Sequence, residues 1–124
     1  MGIARINEEF TSEAEFKLNY TKQDSVVLNL QRLCEASIDI ANIIIKNNQL
    51  GIPQSARNSF ELLHQGQIIS QDITLKMQKM VGLRNIAVHD YQALNIDIVI
   101  AVVKHHLDDF KDFSQQILTS QTLS

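Results

Sequence analysis

Two side chains in this sequence carry the chemistry to cut an RNA phosphodiester without a metal. They are Arg84 and His89, in the segment Arg84-Asn85-Ile86-Ala87-Val88-His89-Asp90-Tyr91. Arginine presents a permanently charged planar fork that matches phosphate oxygens. Histidine takes or gives a proton near neutral pH. Attack by RNA's own 2′-hydroxyl needs a base for the 2′ proton and a cation for the charge gathering on phosphorus.

The spacing sets a condition on that chemistry. Five residues along an α-helix are about 7.5 Å of rise and about 140° of rotation. Arg84 and His89 therefore do not share a helix face. They converge only if the helix ends or distorts near His89, or if a second subunit supplies the missing half. Local charge favours a phosphate here: Ile73 to His89 holds Lys76, Lys79 and Arg84 and no carboxylate. Lys76 and Lys79 are candidates to steer RNA, or they form a solvated helix face. Gly82 costs about 1 kcal/mol relative to alanine within a helix, which points to close approach by a backbone or ligand. Spacing alone also leaves a plainer reading open. His89 would pack on Asp90 or a carbonyl, and Arg84 would be a solvated surface residue.

Other polar groups read less specifically. Gln31, Glu35 and Asp39 step along one helix face, towards either a cleft or solvent. His105 and Asp109 are an i, i+4 pair, read as a surface contact rather than a metal site. Cys34, the only cysteine, falls in an apolar helical stretch and reads as a buried, reduced thiol. No metal and no cofactor are expected.

The elements that must position the segment are helical. With one proline and four glycines in 124 residues, long helices are favoured over strands joined by tight turns. A short or partial first helix covers 2–10, with 11–20 as its continuation or a loop. Thr21 and Asp24 have capping-box character. A second helix follows over 24–49, apolar around much of its circumference through Val27, Leu30, Cys34, Ile38, Ala41 and Ile45, widened by Val26, Leu33, Ile40, Ile43 and Ile44. Such a helix is central in a bundle or packs on a second subunit. Gly51 suits its left-handed cap, and Pro53 suits the first turn of a third helix over 54–65, which Gly66 ends. A fourth helix starts at Ser70 or Asp72 and carries the segment of interest. Asn95 caps a fifth over 96–118, with Ile96, Val99, Val103, Leu107, Phe110, Phe113 and Ile117 inward. The tail 119–124 is expected to fray.

The sum is one all-α domain over 1–124, an antiparallel bundle of four or five helices that dimerises. Apolar residues at 44% and charged residues at 20% fit a globular protein. No apolar run approaches the roughly 20 residues that span a bilayer, and no signal pattern opens the chain, so a cytoplasmic protein without a membrane partner is expected. A net charge of −3 argues against broad RNA coating but permits a local basic site.

Arg84, His89 and Tyr91 also match an Arg-x4-His-x-Tyr motif, and the segment resembles that of the HepT branch of the HEPN superfamily. The stretches YTKQDSVVLNLQRLCEASIDIA, GIPQSARNSFELL and MVGLRNIAVHDYQALN resemble that family in order and spacing, from about Tyr20 to Phe113. The resemblance implies a helical homodimer whose motifs meet across the interface as a composite ribonuclease site. It implies a toxin that cleaves RNA, of a type VII toxin–antitoxin system. Its partner is a minimal nucleotidyltransferase (MNT) antitoxin that transfers AMP to the motif tyrosine, matching Tyr91. By the same resemblance, Arg84 binds and stabilises phosphate and His89 is the general base or acid. Asn85 orients the scissile phosphate or a base, or bonds across the dimer. Asp90 holds His89 in one tautomer or faces solvent. The alternative is a non-catalytic HEPN subunit that binds a nucleotidyltransferase partner or a nucleotide.

Overall fold

A computed structural model describes residues 2–10 and 12–122. Seven α-helices and one 3-10 turn make up the regular structure, and no strand occurs among the described residues. No helix there is long and apolar enough to cross a membrane.

Local chemistry explains where the helices start. Helix α1 is Gly2–Glu9 and α2 is Glu13–Leu18. The Ser12 hydroxyl accepts from the Glu15 N–H at 3.1 Å and begins α2 as a separate unit. Both are anchored: Ile6 and Phe16 are buried in the core. Helix α3, Tyr20–Asn47, starts earlier than the expected residue 24. Its cap is Asn19, whose Oδ1 accepts from the Lys22 N–H at 3.0 Å, so the Thr21–Asp24 capping box does not form. Asp24 is thereby left available to another partner.

Helix ends depart from the glycine rule. Helix α3 ends in a left-handed Gln49 at φ 55°, and α4, Ala56–Gln65, in a left-handed Gln67 at φ 62° just beyond Gly66. In each, the next N–H closes on a carbonyl five residues back, Leu50 to Ile45 and Ile68 to Leu63. Gly51, the expected cap, lies farther out in the loop at φ 124°. Gly66 is needed for contact instead: a Cβ there would meet Leu50 Cδ2 at 2.8 Å. Pro53 precedes the true N-cap of α4, Ser55, rather than occupying the first turn.

Helix α5 is Gln71–His89, capped by Ser70, one of the two starts the sequence offered. A short 3-10 turn, Tyr91–Ala93, follows it. The expected fifth helix is two, α6 (Ile96–His105) and α7 (Leu107–Thr122). The break is at His106, whose Nδ1 lies 3.1 Å from Oδ2 of the buried Asp109. That pair replaces the expected His105–Asp109 contact. Helix α7 runs on to Thr122, so 119–122 do not fray; Leu123 and Ser124 lie outside the described residues.

Helix α3 is the central element, packing on α1, α2, α4, α5 and α7. Its inner face buries Val26, Val27, Leu30, Cys34, Ala41, Ile44 and Ile45, while Ile40 and Ile43 stay exposed. Phe60 of α4 and Phe113 of α7 meet edge to face at 5.5 Å across the core. The predicted inward stripe of α6 and α7 is buried from Val99 to Ile117, while Ile96 at its start is only half-buried.

Candidate active site

Helix α5 has two functional faces. Ile73, Met77, Met80 and Val81 are its buried stripe. Continuing that stripe by one turn arrives at Arg84, an arginine where the pattern calls for an apolar residue. Its aliphatic stem packs in a pocket lined by Leu30, Gln31, Cys34, Leu94, Val99 and Phe110, among others. That cavity holds only about 10 Å³, which is room for one water at most and for no substrate. Arg84 Nε is buried and has no hydrogen-bond partner among the described residues. The Cys34 thiol is pushed up to about 11 by burial, and the neighbouring Arg84 cation opposes that rise. The Gln31 side chain is tied to Glu35 at 3.1 Å, while Glu35 and Asp39 face solvent.

Gln78, Gly82, Asn85 and His89 are spaced by four, three and four residues and form a second face of α5, about 120° from Arg84. Asn85 is half-buried and His89 exposed, at the last helical position. Because α5 stays helical through His89, the helix does not bend Arg84 and His89 together. Asp90 is the C-cap; its N–H donates to Ile86 O at 2.9 Å. No hydrogen bond joins its side chain to His89 among the described residues.

Tyr91 stands in the following turn, partly exposed, and its hydroxyl donates to Asp24 Oδ1. Lys76 and Lys79 lie on other faces. Lys76 is bonded to Asp72 at 3.0 Å and lies 3.9 Å from the buried Asp109, so it belongs to an ion-pair network. Asp72, one residue before the carboxylate-free stretch, is what that count overlooked. Lys79 is exposed. Sequence reasoning also missed the Asp24 contact and the Cys34–Gln31 seat. It did flag Gly82: a Cβ there would meet Arg57 Nη2 at 2.8 Å, so the close approach is by a side chain of α4.

An all-helical bundle with an Arg-x4-His-x-Tyr motif at the end of one helix defines a HEPN-type protein. A family model described as ribonuclease HepT-like matches residues 2–117, and the chain belongs to that family. The mRNA nuclease HepT of Shewanella oneidensis is 60% identical over 111 residues, covering 90% of this chain and 84% of that protein. The tri-AMPylated HEPN toxin of Shewanella oneidensis, solved in complex with an MNT antitoxin, superposes with a TM-score of 0.91 at 57% identity, over 95% of this chain and 89% of that one. A toxin–antitoxin structure with AMP-PNP gives a TM-score of 0.90 at 57% identity, over 94% of this chain and 88% of its counterpart.

Proposed function

We infer that this chain is the endoribonuclease toxin of a HEPN/MNT toxin–antitoxin pair, acting in the cytoplasm as a homodimer of single HEPN domains. The observation that carries the reading is Arg84. Its buried Nε finds no acceptor, and the thiol of Cys34 is a weak partner for a guanidinium. A phosphate is a strong one. His89 takes the 2′ proton, the 2′-oxygen bonds to phosphorus, and the bond to the 5′-oxygen breaks as that oxygen is protonated. Arg84 offsets the charge on the phosphoryl oxygens during the step. Asn85, on the His89 face, orients the phosphate, and Asp90 fixes the turn beyond it. Because the two side chains diverge on one helix, each site takes its arginine and histidine from different protomers. Lys79 is the remaining lysine available for steering.

Neutralisation follows from Tyr91. An MNT partner transfers AMP from ATP as the tyrosyl oxygen bonds to the α-phosphorus and pyrophosphate leaves. The added anion and its bulk, two residues from His89, oppose an incoming RNA phosphate.

Purified protein with RNA in EDTA tests the reading. Products should carry 2′,3′-cyclic phosphate ends, and Arg84→Ala or His89→Ala should abolish them. Absence of cleavage by the unmodified protein would overturn the enzyme reading. Incubation with the partner and ATP should add AMP mass to the wild type but not to Tyr91→Phe; an equal gain on that variant would reassign the acceptor.

A further inference from the structure

Arg57 of α4 is held against α5 more deliberately than a surface arginine needs to be. Its Nε donates to Gln78 O at 3.4 Å, and Gln78 Nε2 donates back to Arg57 O at 3.1 Å. Between these two bonds the guanidinium lies over Gly82, where any Cβ would meet Nη2 at 2.8 Å. Helix α5 thus carries a glycine at the point where the flexible end of Arg57 crosses it, and a larger residue there would push the guanidinium aside. Arg57 remains exposed, and no ion pair to it occurs among the described residues. The face it lies on is the one that carries Asn85 and His89. Gly82 is about 10 Å along the helix from His89. That is too far for the phosphate His89 serves, and it suits a neighbouring one.

We propose that Arg57 is a phosphate-binding residue of the RNA groove, placed by Gly82 and Gln78 to hold a backbone phosphate beside the scissile one. The inference rests on the ribonuclease reading and names how that site grips its substrate. A planar fork held at Nε on an exposed side chain is suited to a phosphate's oxygens. Contact with backbone alone would contribute affinity without base preference.

The test uses the full-length protein, a cleavable RNA and the same oligonucleotide with 2′-deoxy residues, which binds but cannot be cut. Arg57→Gln should raise Kd and KM about tenfold, leave kcat within about twofold, and lower the slope of log Kd against log salt by about one. Arg57→Lys should recover part of the affinity. Gly82→Ala, which displaces the guanidinium without touching RNA, should weaken binding similarly and add nothing in the Arg57→Gln background.

Unchanged Kd and salt slope in Arg57→Gln would overturn the proposal while leaving the nuclease reading intact. So would an Arg57→Gln defect confined to neutralisation by the nucleotidyltransferase, which would make Arg57 an antitoxin contact. A wild type that binds the deoxy oligonucleotide through Arg57 but cuts no RNA would sink the nuclease reading and leave the phosphate site standing. Failure to bind at all would remove both.

Discussion

The Tyr91 hydroxyl donates a 2.5 Å hydrogen bond to Asp24 Oδ1, joining the turn after α5 to the beginning of α3 across 67 residues of sequence. Burial first, then this bond and the Asp24 charge, push the phenol up to about 12. The acceptor proposed for AMP therefore keeps its proton throughout the working pH range, with a carboxylate in place to receive it.

A pH dependence follows. Tyr91 loses a proton less readily in the folded chain than in the unfolded one. Its contribution to stability is complete below the ordinary tyrosine value of 10.0 and is lost as pH rises from there through about 12. Ultraviolet titration of the wild type, minus that of Tyr91→Phe, isolates it from Tyr20. Asp24→Ala should bring the difference curve down towards the ordinary value. An unshifted Tyr91 in the wild type would show that the contact does not persist in solution.

Arg84 should separate stability from activity. It continues the line of the buried stripe of α5 as a half-buried residue, and its Nε is desolvated without a hydrogen-bond acceptor. Replacing it by an apolar residue of similar length removes that penalty. Arg84→Met is expected to stabilise the fold by about 1 kcal/mol while cleavage falls to background. Urea unfolding beside an RNA cleavage assay decides the point. A loss of stability would mean that the guanidinium has a structural role.

The divergence of Arg84 and His89 makes subunit mixing informative. In a two-fold dimer that pairs the arginine of one protomer with the histidine of the other, an Arg84→Ala/His89→Ala heterodimer keeps one intact site of two. Equal mixing of the inactive variants, after exchange, should then recover about a quarter of wild-type cleavage. No recovery, with exchange verified by native mass spectrometry, would place each site within one protomer.

Much of this molecule was legible before its coordinates. The stripe from Val99 to Ile117 is buried as periodicity required, Asn95 caps the helix it was expected to cap, and of the two starts open for α5 the structure takes Ser70. Apolar spacing survives because burial enforces it residue by residue. What was hidden depended on choices between near-equal local options. Asn19 rather than Thr21 starts α3, which leaves Asp24 to meet Tyr91. The stripe through α6 and α7 keeps its phase across His106, so periodicity alone could not reveal two helices. At the site, the spacing of Arg84 and His89 correctly implied divergence. The partial burial of Arg84, with its Nε out of solvent, was not apparent, because a charged residue on an apolar stripe is usually read as the stripe's end. Arg57 carried no signal of its own; only the cost of Gly82 pointed towards it.

The two left-handed glutamines have a consequence for protein engineering. A side chain in that conformation costs about 1–2 kcal/mol that glycine largely avoids, and both Gln49 and Gln67 adopt it, at φ 55° and 62°. Both terminate helices remote in sequence from the motif, in loops that do not include Arg84, Asn85, His89 or Tyr91. The chain therefore has an unused thermostability reserve at these two helix ends. Glycine or asparagine at these two sites offers a sturdier scaffold on which inactive or trapped forms of the toxin can be prepared and crystallised with RNA.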